Sequence, residues 1–260
     1  FDRRGHGYAD PEVTGRSVPS GGGFRPAADT PYRSGSIMDL LSTFFNVPVL
    51  LASLPQLMSG LLVTLQIGVT SIVCGLVGGL FLAVTRLYAP GFVCVIVRLY
   101  IDIFRSIPLL VLLIVVYYAL PFVGIRLSPF LSAVTALTLV SSAYTAEIFR
   151  AGIEAIPHGQ FEASAALGLS NRHTMIDVIL PQAIRIVIPP LTNNCINVMK
   201  DTALASVVAM PDLLKQATQA QALSANPTPL IGAALIYLIL LWPMVCVVAR
   251  LEKRYSKGKR

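Results

Sequence analysis

Apolar stretches long enough to cross a bilayer recur along this chain, and one polar but helix-forming block interrupts them. About 20 apolar residues span a hydrocarbon core. On that measure the spans fall near 60–84, 93–123, 129–146, 186–209 and 229–249. Residues 37–55 are apolar but short, with Pro48 inside, and read as an interfacial helix. Between the third and fourth spans lies EIFRAGIEAIPHGQFEASAALGLSNRHTMIDVILPQAIR, starting at Glu147. A lipid-facing helix does not tolerate that polarity, and an ordinary loop does not hold that much helix-forming sequence. The block reads as a folded cytoplasmic element built to touch another protein.

Composition agrees with a polytopic membrane protein. Of 260 residues, 55% are hydrophobic and 13% charged, against about 25% charged in soluble domains. The net charge of +7 follows from retention of Lys and Arg in cytoplasmic segments and does not call for nucleic acid. Arg86, Arg150, Arg172, Arg185 and the tail from Arg250 onward put the central block and the C-terminus in the cytoplasm. Five spans then put the N-terminus outside, where Arg3, Arg4, Arg16, Arg25 and Arg33 fit poorly. Residues 1–36 are rich in Gly, Pro, Arg and Ser, have no signal-like apolar region, and are expected to be disordered. Met38 is a candidate start. Cys74, Cys94, Cys195 and Cys246 lack metal-ligand spacing and read as small buried hydrophobes. The glycines of span one, Gly60, Gly68, Gly75, Gly78 and Gly79, read as close helix packing.

Within the polar block, Ile148, Ile153 and Ile156 show helical spacing before Pro157 and Gly159 break it. GQFEASAALG is a short helix, with Gly168 where a left-handed C-terminal cap belongs. Ser170 is a natural N-cap for NRHTMIDVIL, which Pro181 is expected to end. Two short helices around a glycine turn suit insertion into a groove on a partner. A hairpin that only stabilises the bundle is the plain alternative.

The spacing Glu162-Ala163-Ser164, Gly168, Val178-Ile179-Leu180-Pro181 resembles the signature loop of bacterial ATP-binding-cassette importer permeases. That loop reads Glu-Ala-Ala, three residues, Gly, nine residues, Ile, one residue, Leu-Pro; here Ser164 and Val178 depart from it. EIFRAGIEAIPHGQFEASAALGLS, ILPQAIRIVIPPLTNN, KDTALASVV and RLYIDIFRSIPLLVLLIVVYYALP look like the polar amino acid permease subfamily, over residues 55–250. The resemblance implies an all-α membrane protein of the type I importer permease fold, with about five transmembrane helices and a coupling loop over 150–182. The transmembrane domain would cover 56–250, and 251–260 would be a basic tail. It also implies partners: two ATPase subunits, which carry the ATP and Mg, an extracytoplasmic substrate-binding protein, and a second permease copy or paralogue. Gly159, Glu162, Ala163, Ser164, Ala165, Gly168, Leu180 and Pro181 would form the coupling loop. In this reading Glu162 caps or pairs at the interface, Ala163 and Ala165 allow close approach, and Gly168 allows the turn.

Polar groups inside the spans point to a path. At 100° per residue, Asn193, Asn194, Asn197, Lys200 and Asp201 fall within about 120° of one helix. Such a stripe must face protein or water. It is a candidate translocation lining, or else a buried Lys-Asp pair and amide network. Arg105, on one face with Arg98 and Asp102, is a further path candidate, and Pro108 after it would free backbone groups, as in broken transporter helices. Glu147 and Arg150 read as structural partners of the loop. The sequence has no GxxxxGK[ST] loop and its three histidines are scattered, so no ATP hydrolysis, bound cofactor, metal or other enzymatic chemistry is expected of this chain. The function expected is transport of polar amino acids. Another small zwitterion, such as an opine or ectoine-like solute, is the near alternative, and a stand-alone secondary carrier the distant one.

Overall fold

The computed structural model describes residues 43–256, and every regular element among them is helical. In chain order these are α1 (Val47–Tyr88), α2 (Gly91–Ser106), α3 (Leu109–Val123), α4 (Pro129–Glu154), α5 (His158–Ala166), α6 (Asn171–Val208), α7 (Leu213–Ser224) and α8 (Thr228–Ser256). Helices α1, α4, α6 and α8 are each long and apolar enough to cross a membrane, and α2 with α3, sharply bent between them, makes a fifth when the pair is counted as one span.

Pro108 breaks its span, as the sequence reading allowed, whereas Pro48 and Pro181 differ from that reading, each for a local reason. The second span is not one helix: α2 and α3 meet at 102°. Pro108 restricts the residue before it to extended backbone, and Ile107 sits at φ −81°, ψ 128°. The interfacial helix expected up to residue 55 is not separate where it is described: residues 47–55 are the first turns of α1. Pro48 lies in the first turn, where a missing N–H costs nothing, the Asn46 side chain accepts from Val49 N–H at 3.2 Å, and the helix continues through Pro55. At 42 residues α1 is about 63 Å long, far more than a bilayer core. Pro181 does not end its helix either. A π turn over Thr174–Ile179 immediately precedes it and widens the ladder that the proline cannot complete. The expectations for residues 1–36, and for Met38, lie outside the described residues.

Helix α4 is the centre of the bundle: 56% of its apolar window is buried, against 22% for α8. Lipid and side chains are equally apolar, so close fit rather than water exclusion must hold such helices together. The glycine face of α1 provides that fit. A Cβ on Gly75 would come within 2.5 Å of Ser141 Oγ, and one on Gly79 would collide with Thr145. The opposite face, Val69, Val73, Val77 and Phe81 at four-residue spacing, is exposed for lipid. The main core joins Leu112, Leu113 and Val116 of α3 to Ala136 and Leu137 of α4 and to Val198, Ala205 and Val208 of α6.

Between the last two spans, Asp212 caps α7. It is fully buried and accepts from Leu214 N–H at 3.4 Å and Lys215 N–H at 3.1 Å. Burial outweighs these donors and pushes its carboxyl up to about 6.

Two expectations follow from this packing. Gly75→Leu should cost about 1–3 kcal/mol, the usual range for overpacking, seen as a lower melting temperature in detergent. Asp212→Asn keeps an acceptor and removes the charge. A raised carboxyl weakens the native protein as pH climbs from the unfolded value through about 6. The variant should therefore equal or exceed the wild type above that pH, and the gap should close toward pH 4, in melting curves at fixed salt.

Candidate functional site

The polar block folds as a compact loop. Helix α4 ends at Glu154, Pro157 starts α5, and α5 closes on a Schellman motif. Gly168 N–H donates to Ala165 O at 2.9 Å and Leu169 N–H to Ser164 O at 3.1 Å. This geometry requires Gly168 at φ +72°. Ser170 then accepts from His173 N–H at 3.4 Å and opens α6.

The loop has an inner and an outer face. Ile156, Ile179 and Ala183 are buried beneath it, with Ile153, Phe161 and Met175 packed around them. Ser164 also turns inward, 3% exposed, donating to Gln160 O at 2.7 Å. Glu162, Ala163 and Ala165 are exposed, as are Gly159, Gly168, Leu180 and Pro181. Leu167 beside them is 80% exposed. The outer face thus presents mostly small residues and one exposed leucine, and the core beneath holds it from below. This arrangement divides the loop residues in two: Ser164 anchors, and the others are presented.

The polar stripe of α6 meets α4 and the start of α3 around a cavity of about 280 Å³. Asn194, Asn197, Lys200 and Asp201 line it, with Ser141 and Tyr144 opposite and Leu109, Leu137, Val140 and Val198 closing the sides. Asn193 is exposed and lies outside it. Asn194 Nδ2 donates to Ser141 Oγ and Thr145 Oγ1, both at 3.3 Å, and so ties α6 to α4. Lys200 and Asp201 form no ion pair with each other. The amide network is therefore real at Asn194, while the charges remain directed at the cavity. Sequence reasoning passed over Ser141 and Tyr144. Their signal was the three-residue spacing Ser141, Tyr144, Glu147, a polar stripe on α4 facing the one on α6.

Arg105 does not line the cavity. It lies 3.7 Å from Glu147, and its guanidinium stands 5.5 Å from the centre of the Tyr144 ring. Glu147 also takes Arg86 at 3.3 Å and Arg150 Nε at 2.9 Å, and Arg150 pairs in addition with Glu154. One carboxylate thus joins α1, α2 and α4 between cavity and loop. Among the described residues no three His, Cys, Asp or Glu side chains gather as a metal site.

A family model described as "Binding-protein-dependent transport system inner membrane component" matches residues 75–257. The chain belongs to this family. As such a component it is a multi-pass permease subunit of the inner membrane. It is 36% identical to the arginine transport system permease protein ArtQ of Bacillus subtilis, over 79% of this chain and 94% of that one. To the probable glutamine ABC transporter permease protein GlnM of the same organism it is 37% identical, over 82% and 99%. Its structure resembles a chain in a crystal structure titled as an amino acid ABC transporter with histidines, at TM-score 0.75 and 35% identity, covering 78% of this chain and 96% of that one. The inward-facing MetNI methionine ABC transporter shares the fold at TM-score 0.60 and 24% identity, covering 80% and 98%.

The Glu147 junction can be weighed against the exposed pair beside it. Glu147→Gln leaves three arginines short of one charge and should lower the melting temperature in detergent by several degrees. Glu154→Gln, whose side chain is 61% exposed, should shift it by no more than about 0.5 kcal/mol equivalent.

Proposed function

We propose that this permease carries a polar amino acid through the cavity between α3, α4 and α6, driven by ATPase subunits that dock on α5. The cavity's paired charges carry the reading. Lys200 offers a cation to a carboxylate and Asp201 an anion to an ammonium group, within one space lined by Asn194, Asn197 and Tyr144. A zwitterion with a polar side chain satisfies all of them. The relatives named for arginine, glutamine and L-cystine transport support a polar amino acid. They differ among themselves, so the solute follows from a separate extracytoplasmic binding protein as well as from this cavity.

The exposed face of α5 supports the coupling role. Gly159, Glu162, Ala163, Ala165 and Gly168 form the contact, Ser164 holds the helix to its base, and Leu180 and Pro181 lead into α6, the helix that lines the cavity. Push on α5 reaches α6 through the core of Ile156, Ile179 and Ala183. ATP and Mg belong to the partner. A second permease, identical or paralogous, completes the pair. The Lys and Arg distribution supports a cytoplasmic placement of α5 and the C-terminus. The transmembrane domain takes in residues 56–250, with the first turns of α1 ahead of them.

Gly168→Asp tests the coupling. At φ +72° any side chain is strained, and the added charge falls on the docking face. Uptake of radiolabelled arginine, glutamine and cystine should fall to background, while membrane insertion is retained and the isolated chain loses only about 1–2 kcal/mol in melting, the cost of one left-handed residue. Uptake at the wild-type rate would contradict the role given to the loop.

A further inference from the structure

A second cavity, about 290 Å³, opens beside the loop between the end of α1, the middle of α2 and the end of α4, and it shares no residue with the polar cavity above. Arg86, Arg98 and Arg150 line it, with Glu154. Arg86 and Arg150 are held by Glu147, and Arg150 also by Glu154. Arg98 is held by nothing: it forms no hydrogen bond or ion pair among the described residues. Its neighbours on α2, Phe92, Val95, Ile96 and Leu99, are all more than half exposed and apolar. An arginine among lipid-facing side chains is costly unless an anion meets it. No carboxylate of the described residues does so.

The rim specifies what kind of anion. Leu87 borders the cleft and Tyr88 follows it, 45% and 68% exposed, and both continue into a neighbouring apolar hollow beside Arg172. A cationic cleft thus opens directly onto apolar surface, with a tyrosine at the boundary where such rings settle in membranes. A soluble anion uses only the cleft. A phospholipid uses both, its phosphate against guanidinium forks that match phosphate oxygens and its acyl chains along α1 and α2.

We propose that this cleft binds the phosphate of an anionic phospholipid, with Arg98 as its principal ligand and Arg86 beside it. Three arginines line the cleft with one carboxylate, Glu154, and two of them, Arg86 and Arg150, share Glu147 beyond it, so the lining stays net positive and favours phosphatidylglycerol over zwitterionic phosphatidylcholine. The inference needs only that the chain lies in a membrane, and it does not depend on the solute carried.

The test uses the complex purified from native membranes and placed in nanodiscs with photoactivatable phosphatidylglycerol or phosphatidylcholine, adducts being mapped by mass spectrometry. The phosphatidylglycerol probe should label peptides containing residues 83–98 and 150–154 in preference to the other lipid. Arg98→Gln should cut that labelling about fivefold, the worth of one arginine near an anionic surface, and Arg98→Lys should retain most of it. Arg98 has no protein partner to lose, so both variants should melt with the wild type. Equal labelling by the two lipids, or full labelling of Arg98→Gln, would overturn the proposal. So would displacement of the lipid by inorganic phosphate at matched ionic strength, which would assign the cleft to a soluble anion, and so would an adduct-free cleft covered by a partner subunit.

Discussion

Glu147 is the point on which the arrangement of the helices turns. Its carboxylate takes Arg86 from α1, Arg105 from α2 and Arg150 from its own helix. Removing that one carboxylate would leave three partly buried guanidinium groups without it, so the shared acceptor ties three helices at one point. The bend at Pro108 gains its meaning here. By turning α2 away from α3 by 102°, it lets Arg105 reach Glu147 while α3 dips to the cavity through Leu109.

The junction also lies between the polar cavity and the loop. On one side, Arg105 stands over Tyr144, which lines the polar cavity. On the other, Arg150 leads through Glu154 to the end of α4, where the loop begins. Helix α6 makes the second connection, since one uninterrupted run carries both a wall of the loop's core and the polar stripe of the cavity. Such a permease needs a rigid link between docking face and path, and a helix that passes through Pro181 without breaking provides one.

Much of this was legible in the sequence, for identifiable reasons. Span positions follow from length and hydropathy, and the caps at Gly168 and Ser170 follow from local backbone chemistry that no tertiary contact has to override. Prolines were harder. Pro108 and Pro181 both read as interruptions, yet one produces a sharp bend and the other is absorbed by a π turn; the difference lies in the ladder upstream, which residue identity does not encode. The polar stripe was visible as a stripe, but its rotation was not. Asn194 rather than Asn193 faces α4, because the glycine face of α1 packed on Ser141 and Thr145 sets where α4 presents its hydroxyls. Ser164 likewise belongs to the loop motif by spacing, while its burial beneath the helix depends on packing that spacing does not reveal.

The central claim, that α5 transmits an ATPase's motion to a path lined by α6, is tested most directly by a cross-link. With Cys74, Cys94, Cys195 and Cys246 replaced, a single cysteine is placed at exposed Ala163, and native membranes are treated with a short thiol-to-amine reagent. The account predicts a one-to-one adduct with an ATP-binding-cassette subunit, its yield changing when ATP is added. A chain that still supports uptake, and whose Ala163→Cys forms no adduct with any nucleotide-binding subunit, would contradict it.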